Sequence, residues 1–257
     1  MSTFSSLVIF LFGLVVGSFL NSIIYRLSTG ESFLFKRSFC PHCKHQLSWQ
    51  DLIPLLSFIF LRGKCRYCHQ KISWQYPLVE LATGILFFLI LNFSTQPGGV
   101  ILFVVSCFLI VIFVYDLKHY VIPDKIIYPA ILVFGIWYLV SSIFFNTYTK
   151  YEILNTIYSA FGAAAFFLAI VLISRGKWMG MGDVKLAFLM GLFLSSPKIL
   201  VALFLAFLVG AIIGVGLIAA QKKTLKSEVP FGPFLVTGTF IALFWGGNII
   251  NWYLHLF

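Results

Sequence analysis

Two sets of residues in this chain have the types and the spacing for chemistry. The first is Gly180-Met181-Gly182-Asp183, which sets a carboxylate at the start of an apolar run, Val184 to Leu194, broken only by Lys185. The glycines allow unusual dihedrals and the close approach of a second segment. An aspartate there is either a helix N-cap, a role Asp fills well, or a functional acid at the rim of hydrocarbon. A charged Asp at a helix centre costs roughly 2.5–3.5 kcal/mol on insertion scales, so ionisable residues at such depths usually serve a function. Asp116 ends an earlier apolar run and supplies a partner. Of two carboxylates at one water-accessible level, one acts as general base on a water. The other, protonated, polarises a scissile carbonyl and later protonates the leaving amine. Such a pair titrates as a unit. Asp124 follows Pro123 and precedes another apolar run, which is an N-cap setting. Asp116 is favoured because it closes a span directly, but spacing leaves Asp124 open as the partner. Lys185 either tunes the charge of Asp183 or snorkels to the interface. Glu80 reads as a helix-end residue with a structural or second-site role. The chain contains no H-E-x-x-H and no G-x-S-x-G, so no rival hydrolytic motif competes.

The second set is Cys40-Pro41-His42-Cys43 followed, 21 residues on, by Cys65-Arg66-Tyr67-Cys68. Two C-x2-C knuckles at this separation predict a structural four-cysteine zinc site. Each knuckle presents two thiolates from one tight turn, and four of them close a tetrahedron with no open position for chemistry. A redox pair is the rival reading. His42, His45 and His69 stand beside the knuckles, but four cysteines suffice as ligands, and the histidines read as surface residues. Cys107 lies inside an apolar run and reads as packing. The apolar stretch between the knuckles, Trp49 to Leu61, would lie on the membrane face or pack beneath the metal.

These residues need elements to hold them, and the composition says which kind. The chain of 257 residues is 60% hydrophobic and 10% charged, with a mean hydropathy of +0.99. Apolar stretches of membrane-spanning length recur from end to end. That predicts an all-α polytopic membrane protein of about eight transmembrane helices with a small four-cysteine loop domain. The expected spans are 7–24, 77–91, 100–115, 124–145, 153–173, a sixth from the glycine motif to Leu194, 199–220 and 234–254. Small residues in the first (Gly13, Gly17, Ser18) suit a close helix contact. The segments divide as 1–26, a first span; 27–76, the zinc loop; and 77–257, the membrane core.

Eight crossings put alternate loops on opposite sides. All of the 18 basic residues except Lys150 and Lys198 then fall on one side, the side of the cysteine loop. Positive residues favour the cytosol, so that face is cytosolic and both termini lie outside. Asp116 ends a span going inward and Asp183 opens one going outward, so both reach the cytosolic face near one depth. The formal charge of +10 is thereby a matter of topology, and no nucleic-acid partner is expected. Two further readings compete with a protease. One is a transporter with the aspartates as proton relays, against which stand the lack of an inverted repeat and the placing of both acids at one face. The other is a membrane scaffold whose zinc loop binds a partner.

In order along the chain, the residues resemble one family. They are Gly17-Ser18-Phe19-Leu20-Asn21 with Tyr25-Arg26-Leu27, the two cysteine knuckles, and Pro77-Leu78-Val79-Glu80-Leu81. Then come Asp116 with Ile122-Pro123-Asp124, Gly180-Met181-Gly182-Asp183-Val184-Lys185, and Pro230-Phe231-Gly232-Pro233. The chain is similar over nearly its full length to the bacterial type IV prepilin peptidases, membrane aspartyl proteases of the GxGD class. The resemblance implies a catalytic pair at Asp116 and Asp183, and substrates that are type IV prepilins or pseudopilins cut after a glycine at the cytosolic face of the bacterial inner membrane. It also implies methylation of the new N-terminal residue with S-adenosylmethionine, a second activity tied to the cysteine-bearing loop. No glycine-rich nucleotide fingerprint follows a strand, so the residues that would bind that cofactor are unassigned.

Overall fold

A computed structural model describes residues 3–30, 37–93, 99–144, 147–221 and 229–256. Lys36, Lys222, Lys223 and Lys226, which enter the charge asymmetry, lie outside the described residues. Every expected apolar segment is a helix, as it must be where no water satisfies backbone groups. In chain order the helices are α1 (Thr3–Thr29), α2 (Leu56–Phe60), α3 (Gln75–Phe93), α4 (Gly99–His119), α5 (Asp124–Phe144), α6 (Lys150–Ser174), α7 (Met181–Leu194), α8 (Lys198–Ala219) and α9 (Gly232–Leu254). Seven of them, all but α2 and α7, are long and apolar enough to cross a membrane. The four-cysteine cluster lies outside those spans. The expected sixth span is the 14-residue α7. At 1.5 Å per residue it is about 21 Å long, short of a hydrocarbon core of about 30 Å.

The chain forms two compact units, Met1–Val111 and Ile112–Phe257. In the first, α1 packs along α3. Gly17 permits this: a Cβ there would lie 2.7 Å from the Cα of Glu80. Between α1 and α3 the loop folds around its cysteines. Each knuckle is closed by a short antiparallel bridge, Phe39 with Gln46 and Lys64 with Lys71. In both, the residue after the second cysteine (Lys44, His69) takes a left-handed conformation and donates its N–H to the carbonyl of the first.

In the second unit α7 is the centre. It packs on α5, α6, α8 and α9, and eight of its residues are buried. A helix that is apolar all round belongs inside. A Cβ on Gly191 would fall on the backbone of Ala160, so α6 and α7 touch main chain to main chain. Thr156 Oγ1 meets Ser195 Oγ at 2.7 Å and Tyr138 OH at 3.0 Å, tying the far ends of α5, α6 and α7 together. The start of α6 is a capping box: Thr149 Oγ1 accepts from Glu152 N–H at 3.3 Å, and Glu152 Oε2 accepts from Thr149 N–H at 2.7 Å.

Candidate active site

Asp116 sits in the last turn of α4, only 4% exposed. Burying a carboxylate without partners is costly, and Asp116 has one: its Oδ2 accepts the Gly232 N–H at 3.0 Å. Gly232 is the first residue of α9, where amide hydrogens have no partner inside the helix and the dipole favours a negative charge. The approach needs glycine, because a Cβ at position 232 would stand 2.6 Å from Asp116 Oδ2.

Asp183 is the third residue of α7, and its Oδ2 accepts the N–H of the N-cap residue Gly180 at 3.2 Å. The bland reading of this acid thus holds in part, since it does bind the helix start. It also does more. The carboxylates of Asp116 and Asp183 interact electrostatically. Two acids from α4 and α7 are therefore brought together, each held by an amide at a helix beginning. Two carboxylates near one another favour a state with one member ionised and the other protonated, the arrangement from which water attacks an amide.

Asp124 is elsewhere engaged. Its side chain is 61% exposed and pairs with Lys185 Nζ at 2.5 Å, and that ammonium lies 4.8 Å from the centre of the Tyr128 ring. Lys185 thus braces α7 against α5. Gly182 lets Ile122 pack closely on α7, where a Cβ would come within 3.0 Å of Ile122 Cβ.

In the first unit the four cysteine Sγ atoms lie within 4.8 Å of one another, and Cys40 and Cys68 are 3.9 Å apart. A tetrahedron with metal–sulfur bonds of about 2.3 Å has edges of about 3.8 Å, so the set fits a metal ion. Cysteines alone make up this cluster, and His42, His45 and His69 are exposed.

Sequence reasoning gave no role to Asp51, which joins the halves of the loop. It accepts from Ser48 N–H and Oγ and from Tyr67 OH, and it pairs with Arg66 Nε at 2.8 Å. His45 stacks on Tyr67 with ring centres 3.7 Å apart, a second link between the knuckles. Glu80 lies in the second turn of α3, buried, and its Oε2 accepts the N–H of Leu55 at 2.8 Å, which pins the loop to that helix. Gly232 was visible only within Pro230-Phe231-Gly232-Pro233, one of the stretches that carry the family resemblance. Nothing local showed that its amide would meet a residue 116 positions earlier.

Comparison with known proteins follows the same two-part division. The Bacterial Peptidase A24 N-terminal domain matches residues 11–93, which hold the four cysteines. The Type IV leader peptidase family matches residues 103–215, which hold Asp116, Asp124 and Asp183. A prepilin leader peptidase/N-methyltransferase of Aeromonas salmonicida (strain A449) is 32% identical over 279 residues, 96% of this chain and 92% of its own. One from Bacillus subtilis (strain 168) is 31% identical over 255 residues, 97% and 98% of the two chains. One from Pseudomonas aeruginosa is 28% identical over 273 residues, covering 95% and 92%. No solved structure matches the chain.

Proposed function

The chain belongs to the type IV leader peptidase family, and from that premise we propose that Asp116 and Asp183 are the catalytic pair with which it removes the leader of prepilins or pseudopilins. The observation that carries this reading is that two buried or half-buried carboxylates, close enough to act on one another electrostatically, are each held by a helix-start amide, that of Gly232 on Asp116 and that of Gly180 on Asp183. The ionised member takes a proton from water as the water oxygen bonds to the scissile carbonyl carbon. The protonated member donates to the carbonyl oxygen. Collapse of the tetrahedral adduct breaks the C–N bond, and the departing nitrogen receives a proton from the pair. The products are the leader's carboxylate and a new N-terminal amine, the group an N-methyltransferase acts on.

The remaining assignments rest on this one. The four thiolates of Cys40, Cys43, Cys65 and Cys68 hold a structural zinc, which would order the loop and do no chemistry itself. S-adenosylmethionine supplies the methyl group, with no residue assigned to it. Residues 1–26 are a first span, 27–76 the loop serving methylation, and 77–257 the peptidase core. The protein lies in the bacterial inner membrane with the loop and the aspartates on the cytosolic side, where a prepilin's leader resides.

The test is cleavage of a prepilin by membranes carrying the wild type, Asp116→Asn, Asp183→Asn or Asp124→Asn. Asn keeps size and polarity but cannot cycle a proton. The first two variants should lose cleavage by about a thousandfold, within the range of general acid–base effects, while Asp124→Asn keeps it. A dead Asp124→Asn beside an active Asp116→Asn would move the partner to Asp124. Activity in all three would end the aspartyl mechanism.

A further inference from the structure

The cysteine loop is held to its two helices at two different levels. Asn21 on α1 stands level with the start of α3, because its Nδ2 donates to the Tyr76 carbonyl at 3.0 Å and its Oδ1 accepts from Gln75 Nε2 at 3.1 Å. Past that level α1 runs on to Thr29, about 12 Å further. The first knuckle packs on this projecting end, where the Phe39 and Tyr25 rings meet edge to face with centres 5.8 Å apart. Leu55, the N-cap of α2, is held lower. Its N–H meets the carboxylate of Glu80 in the second turn of α3. A side chain leans toward the N-terminus of its own helix, so α2 starts level with the first two turns of α3 and not beyond its end.

That level is a membrane level, because α3 has no length to spare. Its 19 residues make about 28 Å, close to a hydrocarbon core of about 30 Å. A segment beside its first two turns therefore lies where headgroups give way to hydrocarbon. The residues of α2 suit that place. Leu56, Ile59 and Phe60 share one helix face and are exposed, Phe60 to 80%. Phe58 turns the other way, its ring 5.0 Å from that of Trp74 and so close to Gly63 that a Cβ there would stand 3.1 Å from it. Trp49 and Leu52, just before α2, are exposed as well.

The charges around this face agree. The one acid between Trp49 and Lys64 is Asp51, and its carboxylate is turned inward onto Ser48, Tyr67 and Arg66. Arg62 and Lys64, just beyond α2, are exposed. An aromatic and aliphatic face bordered by cations is the composition of a segment that lies in a membrane interface. A soluble partner is excluded by the level of α2, which a protein outside the bilayer does not reach. We infer that α2, with Trp49 and Leu52, inserts into the leaflet on the loop's side of the bilayer, its exposed face among the acyl chains and Arg62 and Lys64 at anionic headgroups. The hydrogen bond from Leu55 to Glu80 sets the depth of insertion. The loop is thereby seated on the membrane by α2 as well as by the two spans that bound it.

This inference rests on α1 and α3 crossing the membrane and not on the roles of the aspartates, so it stands or fails apart from the peptidase reading. The test uses the full chain in vesicles of mixed phosphatidylcholine and phosphatidylglycerol. A photoreactive benzoylphenylalanine replaces Phe60 in one sample. In another it replaces Gln46, exposed beside the first knuckle at the bridge to Phe39. Position 60 should form adducts on lipid acyl chains, and position 46 should form none above background. Links from position 60 only to another segment of the chain or to a second copy would overturn the inference, as would lipid adducts no more frequent than at position 46. A second variant, Ile59→Asp with Phe60→Asp, changes two exposed side chains and leaves the packing of Phe58 intact. Among chains whose loop faces outward, trypsin should cut after Arg62 and Lys64 about tenfold faster in this variant than in the wild type, because cutting follows the population lifted out of the bilayer. An unchanged rate would also overturn it.

Discussion

Gly232 is the residue on which the geometry of the aspartates turns most sharply. Its amide donates to Asp116 Oδ2, and the space a side chain would take is already occupied by that carboxylate. Gly232→Ala should therefore displace Asp116 while sparing α9, because Ala suits the first turn of a helix. A displaced electrostatic partner typically costs about 10²–10³ in kcat. The expected result is a loss of that size in prepilin cleavage, with KM little changed and the protein as resistant to heat as the wild type. A kcat within twofold of wild type would mean that the amide of Gly232 does not position the acid. Glu80 offers the contrasting case. Glu80→Ala leaves the half-buried Leu55 N–H without its acceptor, a deficit of about 1 kcal/mol, the low end for an unpaired donor. The loop around Leu55 should then be cut faster by protease. Glu80→Gln retains an oxygen acceptor and should restore most of the protection.

At the scale of elements, the cysteine loop has little apolar core of its own. Trp49, Ile59, Phe60 and Trp74 are exposed, and the buried residues include Cys40 and Cys65. Its order rests on the four-cysteine cluster, on Asp51 with its partners from both halves, and on the contact of Glu80 with Leu55. A structural zinc contributes an apparent ~10–16 kcal/mol to folding in comparable small sites, so the zinc proposed for the four thiolates would outweigh the other two contacts. Cys40→Ser with Cys65→Ser should release one zinc per chain and make residues 37–74 sensitive to protease. N-methylation should be lost, and cleavage should persist, because Asp116 and Asp183 belong to the other compact unit. Cleavage lost together with methylation would tie the loop to the aspartates' chemistry. What the sequence made legible at this scale is local. Apolar length marked the helices, and paired C-x2-C spacing marked the metal cluster. The bracing of Asp124 by Lys185, the hold of Gly232 on Asp116 and the links of Asp51 join residues distant along the chain or buried in a polar loop. Hydropathy carries no record of such contacts, because each depends on how helices pack once formed. The short α7 is the intermediate case: its apolarity was plain, but its length was set by Gly180 and by the Ser195–Pro197 turn, which bound it at 14 residues.

At the scale of the molecule, the short α7 raises the question of whether the chain crosses the membrane there. α7 begins next to the aspartates and ends beside Asn155 and Thr156, near the start of α6. Its 14 residues match only part of the 25-residue α6. In the register of α6 and α7, Asp183 is recessed about six residues, or about 9 Å, from the end of α6 at Ser174. The expected eight-span topology requires α7 to change sides although it is too short to span hydrocarbon alone, and α7 is packed among α5, α6, α8 and α9. Two polar consequences agree. Asp183 stands at a helix start on one side of this register, and Lys150 and Lys198, the two basic residues expected on the far side, open α6 and α8 at the other. On that topology the end of α9 at Leu254 is expected on the side opposite the aspartates. Alkaline phosphatase, active only outside the cytosol, should be active when fused after Leu256 and inactive when fused after Gln221. The opposite result at Leu256 would mean that α7 does not change sides.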